Sequence, residues 1–190
     1  MTHFERYARQ MALPGFGTEG QRSLSESLVL VVGAGGVGCG ALPLLAASGI
    51  GKIAIVDGDI VTESNLHRQT LYSPGQIGEM KARAAADALS TLNPDCEISY
   101  YARFFEDSAE FCALVESASI CIDATDSFRS RGVVSTVCER AGKPEIFASA
   151  QGYVAQNAAF GGGFYLGKYA GALIYVSQIH TPSRRHSSPA

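Results

Sequence analysis

The most informative stretch of this sequence reads Leu28-Val-Leu-Val-Val32, Gly33-Ala-Gly-Gly-Val-Gly38. Its first five residues are apolar and mostly β-branched, which is typical of a short buried strand that stops at a glycine turn. An apolar-periodic segment, residues 41–48, follows the turn and predicts a helix. Strand, glycine turn and helix in this order are typical of an α/β unit whose turn receives a phosphate group.

Alternating strand and helix patterns continue outward from this stretch to about residue 150. Strands are predicted at 52–57, 97–102, 119–123 and 145–150, and helices at 79–92, 107–117 and 128–141. Because helices separate the strands, neighbouring strands should run parallel with right-handed crossovers. The sequence therefore predicts a Rossmann-like, doubly wound, mainly parallel α/β sheet with helices on both faces.

Composition restricts the size and class of the protein. The 190 residues suffice for one domain, or one domain plus a fragment, and 46% hydrophobic with 17% charged residues is typical of a globular chain. A net charge of −3 argues against a nucleic-acid partner, which is held mainly by phosphate neutralisation. The five cysteines form no Cys-x-x-Cys pair, so we expect buried free thiols in a reducing compartment.

A membrane segment is not expected. The N-terminus lacks the apolar run of a signal peptide. One apolar span, residues 158–176, contains Lys168 and five glycines, both of which disfavour a membrane helix. We therefore predict a cytoplasmic protein without a membrane partner.

The glycine turn supplies the first candidate binding residues. Gly33 permits the tight turn, Gly35 lets the backbone approach a phosphate, and Gly38 lets the helix pack on the strand. Gly36 completes this candidate set. The free N–H groups at the helix N-terminus attract an anion. Taken alone, the glycines indicate a nucleotide or simply a tight strand-to-helix turn.

Polar residues after the second strand indicate which nucleotide is bound. Asp57 ends that strand, where a carboxylate receives ribose hydroxyls, and Asp59 is either a further nucleotide contact or a turn cap. These acids fit NAD and ATP equally well. Asn65, Arg68 and Lys81 follow, and a triphosphate needs such cations whereas a dinucleotide does not. The cluster therefore favours ATP over an NAD-dependent oxidoreductase, although each residue alone fits an ordinary surface position.

The fourth strand ends in Asp123-Ala-Thr-Asp126, and we expect the last carboxylate in the binding cleft. A carboxylate that faces bound phosphates suggests Mg²⁺. The alternative is that Asp126 caps the helix that begins at Phe128, a role for which Ser127 is also available.

Seven motifs, in unbroken order, resemble the ThiF/MoeB/HesA family, the bacterial relatives of ubiquitin-activating enzymes. They are Arg6-Tyr-Ala-Arg-Gln10, Gly33-Ala-Gly-Gly-Val-Gly38, Asp57-Gly-Asp59, Ser64-Asn-Leu-His-Arg-Gln69, Ile77-Gly-Glu-Met-Lys81, Leu92-Asn-Pro94 and Asp123-Ala-Thr-Asp126 with Arg131. The glycine motif is weak evidence by itself. The Asn-Leu-His-Arg-Gln run with the later lysine and Asp-Ala-Thr-Asp is specific.

The resemblance implies a reaction and a set of roles. The reaction is ATP-dependent adenylation of the C-terminal Gly-Gly carboxylate of a ubiquitin-like sulfur-carrier protein, of thiamine or molybdopterin type, with release of pyrophosphate. The residues implied to contact the nucleotide are Asp57, Asn65, Arg68 and Lys81. Asp126 is implied to hold Mg²⁺ and orient the attack, and Arg9 to reach into the partner subunit's site, which requires a homodimer.

The resemblance also divides the chain. Residues 1–157 correspond to an ATP-binding domain whose first 27 residues form a helical arm, whereas residues 158–190 lack recognisable motifs, although 169–176 are β-prone at their end. The family's zinc-binding Cys-x-x-Cys pairs have no counterpart and its later strands are largely missing, so we expect a C-terminally truncated member without zinc. A catalytically impaired nucleotide-binding or dimerisation module remains the alternative.

Overall fold

A computed structural model of the chain describes residues 5–151, 154–161 and 175–178. Its sheet has the strand order β3-β2-β1-β4-β5-β6-β7. The strands are β1 Leu28–Val32, β2 Lys52–Val56, β3 Glu97–Tyr101, β4 Ile120–Asp123, β5 Glu145–Gln151, β6 Val154–Phe160 and β7 Tyr175–Gln178. The first five run parallel to one another, and β6 and β7 extend the sheet beyond β5 in antiparallel register. This arrangement confirms the predicted doubly wound, mainly parallel α/β fold.

Helices cover both faces of the sheet. The α-helices among the described residues are α1 Ala8–Met11, α2 Gly17–Glu26, α3 Gly36–Ser48, α4 Lys81–Leu92, α5 Ala109–Ser117 and α6 Phe128–Ala141. Alternate residues of β1 point to opposite faces. Val31 packs in the core with α3 and α4, and Leu30 packs in the core with α5 and α6. Burial on both faces explains why the strand reads as a continuous apolar run.

Several boundaries differ from the predicted ones. The third helix begins at Gly36, not at residue 41, because packing on β1 overrides the low helix propensity of its glycines. Helix α4 begins at Lys81, not at residue 79, since Met80 forms an antiparallel bridge with Ile60. Strand β6 was not predicted, because Val154–Phe160 has few β-branched residues and is held by its pairing with β5.

Two expectations concern the whole chain. All five cysteines are free, and four of them are buried, which confirms the prediction of free thiols. No helix among the described residues is long and apolar enough to cross a membrane. The apolar span 158–176 lies partly in β6 and β7, and its residues 162–174 lie outside the described residues, as does the tail from residue 179.

Candidate functional site

The segments that follow β1, β2 and β4 meet at the carboxyl edge of the sheet, as the topology predicts. Gly33 donates its N–H to the carbonyl of Val56 at 2.8 Å, and Ala124 donates to the carbonyl of Val32 at 2.8 Å. Gly33 has φ +98°, and a Cβ built on it would lie 2.8 Å from the carbonyl carbon and oxygen of Ala124. The turn after β1 therefore needs glycine both for its conformation and for its contact with the segment after β4.

The glycine turn itself is closely packed. A Cβ added to Gly38 would overlap the carbonyl oxygen of Gly33, so the first turn of α3 rests on the end of β1. Gly35 is the N-cap of α3, and no side chain among the described residues caps it. A Cβ built on Gly36 would lie 3.8 Å from Cδ of Arg68. The N-terminus of α3 thus keeps its N–H groups for an anion, with a guanidinium-bearing side chain beside it.

Asp57 lies directly beneath this turn. Its Oδ2 accepts from the N–H of Ala34 at 2.7 Å, and its Oδ1 accepts from the N–H of Asp59 at 2.8 Å. Burial raises the pKa of the Asp57 carboxyl above its ordinary value. Each oxygen keeps a further lone pair, so the carboxylate fits the predicted contact with ribose hydroxyls.

Lys81 is almost fully buried at this edge. Its Nζ lies 3.0 Å from Oδ2 of Asp59, and the two side chains are 6% and 56% exposed. The backbone N–H of Lys81 also donates to the carbonyl of Asp59 at 2.9 Å. The sequence predicted both residues at the site but not this pairing, which arises because the segments around Ile60 and Met80 bridge.

Asn65 and Arg68 occupy the turn that follows. Oδ1 of Asn65 accepts from Nε2 of Gln69 at 2.9 Å and lies 3.3 Å from Nη2 of Arg68, which is exposed. Gln69 is a residue that the site prediction missed. It is buried, its Nε2 would lie 3.7 Å from a Cβ on Gly35, and its Oε1 has no hydrogen-bond partner among the described residues. The sequence feature that could have identified Gln69 is its position as the last residue of the Asn-Leu-His-Arg-Gln run.

The end of β4 and the segment after it carry two carboxylates with different surroundings. Asp123 is fully buried, its Oδ1 accepts from the N–H of Thr125 at 2.9 Å, and burial raises its pKa. Asp126 is exposed. Ser127 caps α6 by accepting from the N–H of Ser130 at 3.1 Å, so the alternative role of Asp126 as the cap is wrong.

The donor set here suits a magnesium ion that arrives with a nucleotide. Oδ2 of Asp123 and Oγ1 of Thr125 are buried without a hydrogen-bond partner among the described residues, and the carboxylate of Asp126 is close in sequence and exposed. Within the described part of the chain, no group of three or more His, Cys, Asp or Glu could hold a metal. Mg²⁺ commonly binds one or two carboxylates plus phosphates, so these oxygen donors fit it.

Arg9 lies away from the other candidate residues of its own chain. It is exposed on α1, and the neighbouring Gln10 donates to the carbonyl of Ser48 at 2.8 Å. Helix α3 has 13 residues and runs from the glycine turn to Ser48, a length of about 20 Å at the usual rise per residue. Arg9 is therefore at the opposite edge of the sheet from the glycine turn.

Comparison with known proteins gives the same picture. Residues 7–165 match the model of the ThiF family. A curated relative from Zea mays, "Adenylyltransferase and sulfurtransferase MOCS3-1", is 40% identical over 154 residues, which are 80% of this chain and 32% of the relative. A second relative, from Mus musculus, is "Adenylyltransferase and sulfurtransferase MOCS3". It is 44% identical over 146 residues, which are 76% of this chain and 31% of the relative. This chain thus spans about a third of the length of these relatives.

Solved structures extend the comparison to the fold. The complex of E. coli MccB with MccA-N7isoASN has a TM-score of 0.73 and 27% identity, over 83% of this chain and 48% of MccB. The structure of PaaA has a TM-score of 0.71 and 26% identity, over 81% of this chain and 49% of PaaA. Because the family match covers most of the sheet and the whole of its carboxyl-edge site, this chain belongs to the ThiF family.

Proposed function

We propose that this chain binds ATP and adenylates the C-terminal Gly-Gly carboxylate of a ubiquitin-like sulfur-carrier protein, of thiamine or molybdopterin type. The observation that carries the proposal is the buried ammonium of Lys81, linked to the glycine turn through Asp59 and Asp57. A buried cation beside a phosphate-binding turn suits a triphosphate. Relatives that are named adenylyltransferases support the same reaction type.

The chemistry requires two anions to meet. A carboxylate oxygen of the carrier attacks the α-phosphorus of ATP and forms an oxygen–phosphorus bond. The bond from that phosphorus to the oxygen bridging toward the β-phosphate breaks, and its electrons leave with pyrophosphate. Repulsion between the carboxylate and the phosphates opposes the approach, so fixed cations lower the barrier more than a general base would.

Each residue of the site has a defined task in this proposal. Asp57 binds the ribose, and the N-terminus of α3 binds phosphate oxygens. Arg68 and Lys81 neutralise charge on the phosphates, and Asn65 holds Arg68 in place through its Oδ1. Asp126 would hold Mg²⁺, which when bound neutralises phosphate charge and favours the departure of pyrophosphate.

The domain boundaries and the compartment belong to the same proposal. We assign residues 1–157 to the ATP-binding domain, with residues 1–27 as its arm, and residues 158–190 to an atypical C-terminal segment; β6, Val154–Phe160, crosses this boundary. The free thiols suit a reducing compartment such as the cytoplasm. The prediction that no zinc is bound also stays a prediction.

Asp126→Ala is expected to reduce ATP–pyrophosphate exchange by at least about 100-fold, because the variant loses the carboxylate that orients Mg²⁺ and the phosphates. The measurement is incorporation of labelled pyrophosphate into ATP in the presence of a Gly-Gly-ended carrier. Asp126 is exposed, so the thermal midpoint should stay within about 2 °C of wild type.

The exposed Asp87→Ala on α4 is a matched control that should retain exchange. Wild-type protein that binds Mg-ATP but gives no exchange with any Gly-Gly-ended carrier would favour the impaired module instead. Stronger thermal protection by NAD than by Mg-ATP would contradict the proposal and favour the oxidoreductase alternative.

The position of Arg9 leads to a second prediction, which concerns a homodimer. Since α3 separates Arg9 from its own chain's glycine turn, we propose that it completes the site of the partner subunit. Arg9→Ala and Asp126→Ala should each be inactive. Mixed and allowed to exchange subunits, they should recover exchange in about a quarter of the sites, because half of the dimers are mixed and each has one intact site. No recovery, with mixed dimers demonstrated by mass, would contradict a role in trans.

A further inference from the structure

Tyr72 is a buried residue that the proposed mechanism does not use. Tyr72 comes directly after the turn that contains Arg68, and it is only 7% exposed. The hydroxyl donates to the carbonyl oxygen of Ala34 at 2.7 Å, and the carbonyl oxygen of Lys81 lies 3.4 Å from the same hydroxyl. A phenol has one proton, so the shorter bond to Ala34 receives it and the second is a weak alternative.

Ala34 is the point at which the glycine turn is fixed. It is fully buried between Gly33 and Gly35, and its N–H donates to Oδ2 of Asp57. Its carbonyl receives the Tyr72 hydroxyl and, at 3.3 Å, the weaker thiol donor of Cys39. Both backbone polar groups of Ala34 are therefore held by side chains from outside the turn, Asp57 after β2 and Tyr72 before α4.

Tyr72 is also linked to the two other backbone segments that the proposed function places near the phosphates, the turn of Arg68 and the start of α4. Its N–H donates to the carbonyl of Gln69 at 3.2 Å, which joins it to the turn of Arg68. Its hydroxyl lies at the junction of the glycine turn and the first residue of α4, Lys81. Tyr72 thus contacts each of the three backbone segments that the proposed function places around the triphosphate, two through its hydroxyl and the turn of Arg68 through its backbone N–H.

We propose that Tyr72 is a positioning residue, which holds the glycine turn in register with the turn of Arg68 and the start of α4. It touches no ligand itself. The inference rests on the proposed function only in taking the ligand to be a nucleoside triphosphate, and its effect on the free protein does not depend on that. Without the hydroxyl, the carbonyl of Ala34 loses its stronger donor in a buried place.

The consequence is a loss of pre-organisation. The turn then also populates conformations that cannot bind the phosphates. The apparent affinity for the nucleotide falls in proportion to the fraction of molecules that keep the binding-competent conformation. Once the nucleotide is bound, the phosphates themselves hold the turn. The KM for ATP should therefore rise while kcat stays almost unchanged.

Tyr72→Phe tests this, with Tyr7→Phe as its matched control. Tyr7 is equally buried, and its hydroxyl accepts from Nδ2 of Asn93 at 2.9 Å at the opposite edge of the sheet. Amide hydrogen exchange across residues 33–39 of the free full-length protein should become about 3- to 10-fold faster in Tyr72→Phe and stay unchanged in Tyr7→Phe. In ATP–pyrophosphate exchange, Tyr72→Phe should raise the KM for ATP about 3- to 10-fold, with kcat within about twofold.

The two readouts separate the two hypotheses. Unchanged hydrogen exchange across residues 33–39, or equal acceleration in both variants, would overturn the positioning role. A fall in kcat at constant KM would overturn it as well. Wild-type protein without pyrophosphate exchange would contradict the proposed function, and the hydrogen-exchange comparison of the free protein would still decide the role of Tyr72.

Discussion

Gly38→Ala is expected to destabilise the fold by about 3 kcal/mol or more and to abolish binding of Mg-ATP. The added Cβ would overlap the carbonyl oxygen of Gly33, and a backbone atom cannot rotate away as a flexible side chain can. Gly33 lies close to a second backbone segment, because a Cβ built on it would lie 2.8 Å from the carbonyl carbon and oxygen of Ala124. Relief requires α3 to move off β1, which would separate the N–H groups of the helix from the end of the strand.

Gly40→Ala is the matched control on the same helix. A Cβ on Gly40 would meet nothing within 4 Å, so the substitution adds only helix propensity, worth about 0.5–1 kcal/mol of extra stability. Urea unfolding and calorimetric titration with Mg-ATP measure the two effects. If Gly38→Ala unfolded at the wild-type urea concentration and bound Mg-ATP normally, the close packing between α3 and β1 would be contradicted.

Lys81→Met is expected to lower ATP–pyrophosphate exchange by about 100- to 1,000-fold, in the range seen when one fixed donor to a developing charge is removed. Methionine nearly matches the shape of the lysine stem, and the buried position suits an apolar side chain. Asp59 loses its partner but is more than half exposed, so water can solvate it. Stability should therefore change by less than about 1 kcal/mol while activity is lost.

Lys52→Met is the control for this loss of charge. Lys52 begins β2 at the opposite edge of the sheet, and its Nζ pairs with Oε2 of Glu97 at 3.0 Å between exposed side chains. Exposed pairs of this kind contribute at most about 1 kcal/mol, and exchange should stay near the wild-type rate. Similar losses of exchange in Lys81→Met and Lys52→Met would mean that net charge, not the position of Lys81, determines the rate.

Much of the fold follows from the sequence, because buried parallel strands are short apolar runs and the helices between them end at recognisable residues. Gly142, for example, ends α6 in the left-handed conformation, with φ 63°. The convergence of the glycine turn with the ends of β2 and β4 follows from topology alone. Strand β6 escaped prediction because its extended conformation is stabilised by pairing with β5, whereas its own residues have low strand propensity.

The candidate site was predictable at the level of residues but not of partners. The sequence indicates that Asp59 and Lys81 lie near a phosphate, whereas their mutual pairing depends on how two loops bridge at Ile60 and Met80. Tyr72 escaped for a related reason: it lies just outside the Asn-Leu-His-Arg-Gln run, and only the structure shows which carbonyl its hydroxyl reaches. Side-chain hydrogen bonds between distant segments leave no periodic trace in a sequence.

The contact between Gly33 and Ala124 has a consequence for the order of folding. The two residues are far apart along the chain, so their meeting requires closure of a long loop and pairing of β4 with β1. An intermediate that contains only β1, α3 and β2 has the glycine turn but lacks the segment after β4, which lies against that turn in the complete sheet. Nucleotide affinity should then appear only after β4 has docked, which makes the ligand a reporter of the completed sheet and not a nucleus for its formation.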